Sequence, residues 1–320
     1  MRILNFPPLS DPRSANYWNL IFMFIFTCIL IPLNLFDQSL ISGAPKWIKP
    51  LKFSMSIGLY SITFLWILQF MNLKDKWLTR ISWTITITLI IEMIAIFGQV
   101  VRGEASHFNI SSPLNGFIFS IMGTSIGIMW FAHLSVGIYI FRLKKINSYL
   151  RESLLWGICI SAYGMIIGFF MTVPRPEQIE LMQQGIMQVN GGHSFGAPDG
   201  GVGVLFLGWS TVAGDMRVPH FFGMHAIQFF SILSIFKLGL KPETSIEKIN
   251  RTGLRFMAMA WFAISILMTI QALNGESIFR TSQNFLIGYI ISGIIGIIGM
   301  VLNTQKFNFF LNSNNKTKVA

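Results

Sequence analysis

The sequence predicts an all-α integral membrane protein: a bundle of about eight transmembrane helices, with a long Gly-rich extracytoplasmic loop between spans five and six. Three observations predict it. Hydrophobic residues make up 52% of the 320 and charged residues 12%, about half the charged share of an average soluble domain. At a mean hydropathy of +0.59, a water-soluble fold of this size could not hide its apolar surface. That excludes a soluble enzyme, a nucleic-acid-binding protein and a disordered chain. Second, the apolar residues fall in runs close to the ~20 residues that a spanning helix needs. Third, the connections between the runs share out Lys and Arg unequally.

In order, the spans cover residues 17–36, 53–71, 81–98, 116–141, 154–173, 220–236, 256–273 and 285–302. They form a single polytopic transmembrane domain over 1–320, with no internal repeat. The first run follows Asn16 without a small-residue cleavage site, so it reads as a span rather than a signal peptide. Alternate connections hold 17 Lys and Arg on the side of both termini and 7 on the other. The positive-inside rule then places both termini in the cytoplasm. The net charge of +11 belongs to this pattern. It implies the lipid bilayer as partner and no nucleic acid. Cys28 and Cys159 fall inside apolar runs and read as small hydrophobes, not a disulfide. The polar, basic tail from Asn303 reads as a solvated cytoplasmic end with a mild attraction to anionic lipid.

The fifth connection, from Pro174 to Pro219, is the long one. Pro176 to Gln188 has helix-like spacing, and Asn190 to Gly208 is rich in glycine. Val202 to Val212 is apolar but too short to span, so a re-entrant or interfacial segment is expected. Two stripes of small residues, Gly116-Ser120-Gly123-Gly127 and Gly288-Ser292-Gly296-Gly299, have the spacing that lets helices pack closely in lipid.

The polar residues point to a site. Of the 13 carboxylates, Glu92 alone lies well inside a span, where a charge is costly and usually functional or paired. Thr84, Thr88 and Glu92 recur every four residues, with Gln99 nearly on the same face. Then comes Arg102-Gly-Glu-Ala-Ser-His107-Phe-Asn109, a short connection dense in donors and acceptors. His193 and Asp199 flank a glycine-rich turn. Asp215 and Arg217 precede Pro219, which suits a first helical turn. The sixth span places His220, His225, Gln228 and Ser231 on one arc. Glu92 and His225 each lie ~9 Å from the outer end of their spans, at 1.5 Å per residue. His133 lies towards the cytoplasmic side and reads as a separate, structural histidine. Trp47, Lys49 and Lys52 read as an interfacial anchor or as the rim of an outward-opening polar pocket.

Imidazole and carboxylate suit a transition metal, zinc or iron, or haem. The expected ligands are His107, His193, His220 and His225. Glu92 and Asp215 are the acid/base candidates, and Gln99, Arg102, Asn109, Arg217 and Gln228 the candidates for holding a small-molecule substrate. This gives a metal- or haem-dependent membrane enzyme or redox protein. Two other readings stay open. One is a proton-coupled small-solute transporter with Glu92 as carrier. The other is a non-catalytic assembly or sensing protein whose polar groups form a structural network.

Three blocks carry a resemblance: Trp47-Ile-Lys-Pro-Leu-Lys-Phe53, Gln99 through Asn109, and Gly214-Asp-Met-Arg-Val-Pro-His-Phe-Phe-Gly-Met-His-Ala-Ile-Gln228. They resemble an uncharacterised family of bacterial multi-pass integral membrane proteins. The resemblance covers about the first two-thirds of the chain. It implies a bacterial cytoplasmic (inner) membrane and assigns no activity.

Overall fold

The computed structural model describes residues 6–143, 145–239 and 251–303. Among them, eight helical segments are long and apolar enough to cross a membrane. They are α1 (Pro12–Phe36), α2 (Ile48–Leu68), α3 (Lys76–Val101), α4 (Pro113–Arg142), α5 (Ser148–Met171), the α7–α8 pair, α9 (Thr252–Leu273) and α10 (Gln283–Asn303). A short α6 (Pro176–Gln183) lies in the fifth connection, where helix-like spacing is expected. The tail after Asn303 lies outside the described residues.

Local chemistry sets most of the boundaries. Asp11, Asp75, Ser112 and Asn147 each accept a first-turn backbone N–H at the start of α1, α3, α4 and α5. Pro113 occupies the first turn of α4, where its missing N–H costs nothing. α2 starts at Ile48, five residues before the apolar run does. Lys49 and Lys52 therefore ride on its first turns instead of lying in a loop.

The sixth span is interrupted at His225, between α7 (Arg217–Met224) and α8 (Ala226–Leu238). Here α7 lies backbone to backbone on α5. A Cβ added to Gly164 would sit 2.4 Å from the Met224 nitrogen, and one added to Gly223 would sit 2.7 Å from the Gly164 Cα. Only glycine at both positions permits this approach.

α1 packs on α2 and α3, α3 on α4, α4 on α5, α5 on α7 and α8, and α9 on α10. The main apolar core, with Phe64, Ile85, Met93, Val136 and Ile158 buried, sits among the first five helices. α10 is peripheral. Ile290, Ile294 and Ile297 are exposed, as lipid-facing residues are. Its small-residue stripe packs as expected, with Gly288 against Leu267 and Gly299 against Gly253 and Met257. The stripe on α4 does not: beside Gly123 and Gly127 nothing lies within 4 Å of where a Cβ would be. Spacing cannot tell a helix-facing stripe from a lipid-facing one.

The long connection is pinned at three places. Val189 bridges to Asn109 in the third connection. Ser194–Phe195 (β1) pairs antiparallel with Gly214–Asp215 (β2), closing the loop on itself. Val202 to Thr211 forms a hairpin through Gly203 and Ser210 rather than a helix. Its tip, Leu205, is 94% exposed.

Candidate functional site

The site starts from how α3 ends. Gly103 adopts φ +77°, which only glycine takes without strain. Its N–H bonds to Val100 O, and the Glu104 N–H bonds to Gln99 O. These two hydrogen bonds are the Schellman arrangement, which reverses the chain. The third connection therefore folds back along α3, and His107 returns to the level of Glu92. His107 Nε2 lies 3.3 Å from Glu92 Oε1. Glu92 is only 2% exposed, and its Oε2 is buried without a hydrogen-bond partner among the described residues. His107 Nδ1 lies 3.1 Å from Ser106 Oγ. A hydroxyl donating to Nδ1 leaves the hydrogen on Nε2, directed at the carboxylate. Burial and the nearby Lys49 charge hold the His107 pKa below its ordinary value, against the opposing pull of Glu92. Phe53 lies against the imidazole, ring centres 5.8 Å apart.

A second pair lies in the long connection. Asp199 accepts the backbone N–H of Ser194 at 2.7 Å and of His193 at 3.1 Å. His193 Nδ1 is 3.4 Å from Asp199 Oδ1 and 3.8 Å from Asp215 Oδ1. Asp215 is clasped by Arg217, with Nε to Oδ1 at 2.9 Å and Nη2 to Oδ2 at 2.6 Å. It also accepts the N–H of Ser210 at 2.8 Å and of Arg217 at 3.0 Å. Burial pushes the Asp215 carboxyl up, but the bonds and charge of Arg217, the His193 charge and the Ser210 N–H together hold it below the usual carboxylate range. Asp215 thus anchors the loop through Arg217 and the Ser210 backbone.

Between the two pairs stands Lys49. This half-buried ammonium on α2 is in electrostatic reach of Glu92, Asp199, Arg217 and Lys52, and of His107 and His193. Lys52 donates to Leu207 O at 3.0 Å, and Arg217 Nη2 to Gly208 O at 2.5 Å. Both cations thereby hold the hairpin over this end of the bundle. Lys49 is the residue that the sequence reading misplaces. Its signal, two lysines three apart beside Trp47, is also that of an interfacial anchor.

The other expected site residues are placed elsewhere. Arg102 donates to Gln99 Oε1, and to Asn115 Oδ1 at 3.1 Å. Gln99 Nε2 donates to the same Asn115 oxygen at 3.2 Å, and Asn109 Nδ2 to Glu104 Oε2 at 2.8 Å. Gln99, Arg102 and Asn109 therefore tie the α3–α4 turn together. His220 Nδ1 lies 2.7 Å from Gly164 O, and His225 Nδ1 3.3 Å from Gln228 Oε1. His133 is bonded away from these groups, by Tyr60 Oη at 3.1 Å and Ser161 Oγ at 2.7 Å. The four histidines expected as joint metal ligands have four separate sets of hydrogen-bond partners, although His220 is in electrostatic reach of both His107 and His225. Among the described residues, no three His, Cys, Asp or Glu side chains gather as a metal-holding group. A cavity beside Asp215, lined by Ser210, Gln271 and Glu276 among others, measures about 10 Å3, room for about one water.

Burial and the Arg217 charge push His193 down from 6.5 to about 4, against the pull of Asp199 and Asp215. Between those values the unfolded chain binds a proton that the folded one does not, so stability falls as the pH drops. Melting temperature should decline from pH 6.5 to 4, and His193→Asn should flatten part of that decline. A profile unchanged by the substitution would remove His193 from the pH response.

Comparison of the chain with family models, with curated proteins and with solved structures finds no match. Fold and site define a class instead: an eight-helix bundle with spans apolar enough for a bilayer. At the end away from the chain termini it carries two carboxylate–imidazole pairs around a lysine.

Proposed function

We propose that this protein handles protons at the outer face of a bacterial cytoplasmic membrane, and that it couples a proton to the movement of a small polar solute. The observation that carries the reading is the Glu92–His107 pair. A carboxylate inside a span is expensive unless it is paired or used. Here one oxygen meets an imidazole and the other has no partner among the described residues. Such a pair can pass a proton between carboxylate and imidazole, and Lys49 can respond to the change of charge. The charge bias of the connections supports an extracytoplasmic position for the pair, with both termini inside. The hairpin held by Lys52 and Arg217 is then the gate over it.

The test is Glu92→Gln in proteoliposomes with an imposed pH gradient, screened with small anionic and neutral solutes for lumenal acidification. Wild type should move protons with at least one solute. Glu92→Gln should abolish that movement yet keep the wild-type melting temperature. If Glu92→Gln retains coupled flux, the carboxylate serves packing alone.

A second reading, a metal- or haem-dependent membrane enzyme, keeps one observation in its favour. The Nδ1 atoms of His220 and His225 face a carbonyl and an amide oxygen, so each Nε2 is the basic nitrogen, and that of His225 is buried without a partner among the described residues. Metal-ligating histidines are commonly oriented in this way. Elemental analysis and an absorption spectrum on purified protein test it. Stoichiometric iron or zinc, or a Soret band, lost on His220→Ala or His225→Ala would favour this reading over transport.

A further inference from the structure

Between α3 and α4 a cleft of about 350 Å3 opens on the outside of the bundle. Its walls are Ile91, Ile94, Ala95 and Gly98 on α3, with Ile118 and Ile121 on α4. Gly98 leaves the gap: nothing lies within 4 Å of where its Cβ would be. At one end of the cleft stand Gln99 and the exposed Arg102. The oxygens that Arg102 meets belong to the neutral amides of Gln99 and Asn115, and among the described residues it makes no ion pair. The guanidinium is therefore held in position with its charge uncompensated. From Arg102 to Ile91 the helix rises ~16 Å at 1.5 Å per residue. That is about one leaflet of a ~30 Å hydrocarbon core.

We infer that this cleft is a lipid site: it seats one acyl chain of an anionic phospholipid, with the phosphate on Arg102. A planar guanidinium suits a phosphate oxygen pair. The near-absence of polar groups along the walls suits a hydrocarbon chain, and among the described residues that line the cleft there is no carboxylate to repel a negative head group. Basic sites between spanning helices recognise anionic head groups in this way. The assignment does not use the Glu92–His107 pair, because Glu92 is not among the residues that line the cleft.

The experiment uses the full chain in detergent with dioleoyl phosphatidylglycerol or dioleoyl phosphatidylcholine, read by native mass spectrometry. Wild type should retain phosphatidylglycerol about fivefold better, the preference expected of one basic residue near an anionic surface. Arg102→Gln should bring that preference close to unity. Gly98→Leu, which fills the cleft, should lower retention of both lipids. In case Gly98→Leu does not fold, Ile94→Trp offers a second readout. Its fluorescence should be quenched by brominated phosphatidylglycerol more than by brominated phosphatidylcholine, and Arg102→Gln should erase the difference. Equal retention of the two lipids by wild type would overturn the assignment, as would a preference that survives Arg102→Gln. Stabilisation by inorganic phosphate alone would overturn it in favour of a free-anion site. A dimer that Gly98→Leu converts to monomer, with lipid retention unchanged, would overturn it in favour of a second copy of this chain.

Discussion

Gly164→Leu is expected to deprive the protein of its folded state. The α5 and α7 backbones touch at Gly164 and Gly223, and even the first carbon of a side chain at 164 would lie 2.4 Å from the Met224 nitrogen. Overpacking a core usually costs ~1–3 kcal/mol because neighbouring side chains shift to make room. Here the obstacle is backbone, so the helices themselves must separate, and the cost should exceed that range. Separation would also pull Gly164 O away from His220 Nδ1, a 2.7 Å bond. Gly164→Ala should already reduce the yield of monodisperse protein, and Gly164→Leu should eliminate it. The comparison is Gly123→Leu on α4, where a Cβ meets nothing within 4 Å and yield and melting temperature should be unchanged. Equal yields of the leucine variants at 164 and 123 would show that α5 and α7 do not meet as described.

The contrast between these glycines also separates what the sequence reveals from what it hides. Spans are legible because each helix must satisfy its own backbone in lipid and so needs a long apolar run. Glu92 is legible for the same reason, as a carboxylate inside such a run. The pairing with His107 is encoded less directly: Val-Arg-Gly-Glu carries the glycine that stops a helix with a reversal, and the reversal at Gly103 brings His107 back beside Glu92. Lys49 is legible as an anchor or rim residue, but not as a residue of a helix. A hydropathy run begins at Phe53, whereas the helix begins at Ile48, because helical geometry tolerates the polar first turn that hydropathy rejects. The histidines were hidden for a deeper reason. Gly164 and His220 are 56 positions apart, so no local spacing encodes their contact. Four histidines expected on one side of the membrane then look like one site, although their hydrogen-bond partners differ.

Asp215 is the buried carboxylate to which the hairpin of the long connection is tied, and Asp215→Ala should release that hairpin. Asp215 is 3% exposed and receives Arg217, the backbone of Ser210 and of Arg217, and the edge of His193. Removing one partner of a buried ion pair typically costs ~3–5 kcal/mol, because the remaining charge is left without compensation. Arg217 is partly open to water, so ~3 kcal/mol is the fitting end of that range. The loss should be local first. With Asp215 gone, Arg217 has no carboxylate to fix its angle, its bond to Gly208 O weakens, and the hairpin that also rests on Lys52 is freed. Limited proteolysis should cut Asp215→Ala between residues 196 and 212 well before wild type, alongside a lowered melting temperature. Asp215→Asn keeps the shape and the acceptor oxygen but not the charge, so it should fall between the two. Arg217→Gln completes the comparison. If Asp215 acts through Arg217, the double variant Asp215→Ala/Arg217→Gln should be less damaged than the sum of the single ones. Strict additivity would mean that the two side chains stabilise the loop separately, and the hairpin would then need another tether.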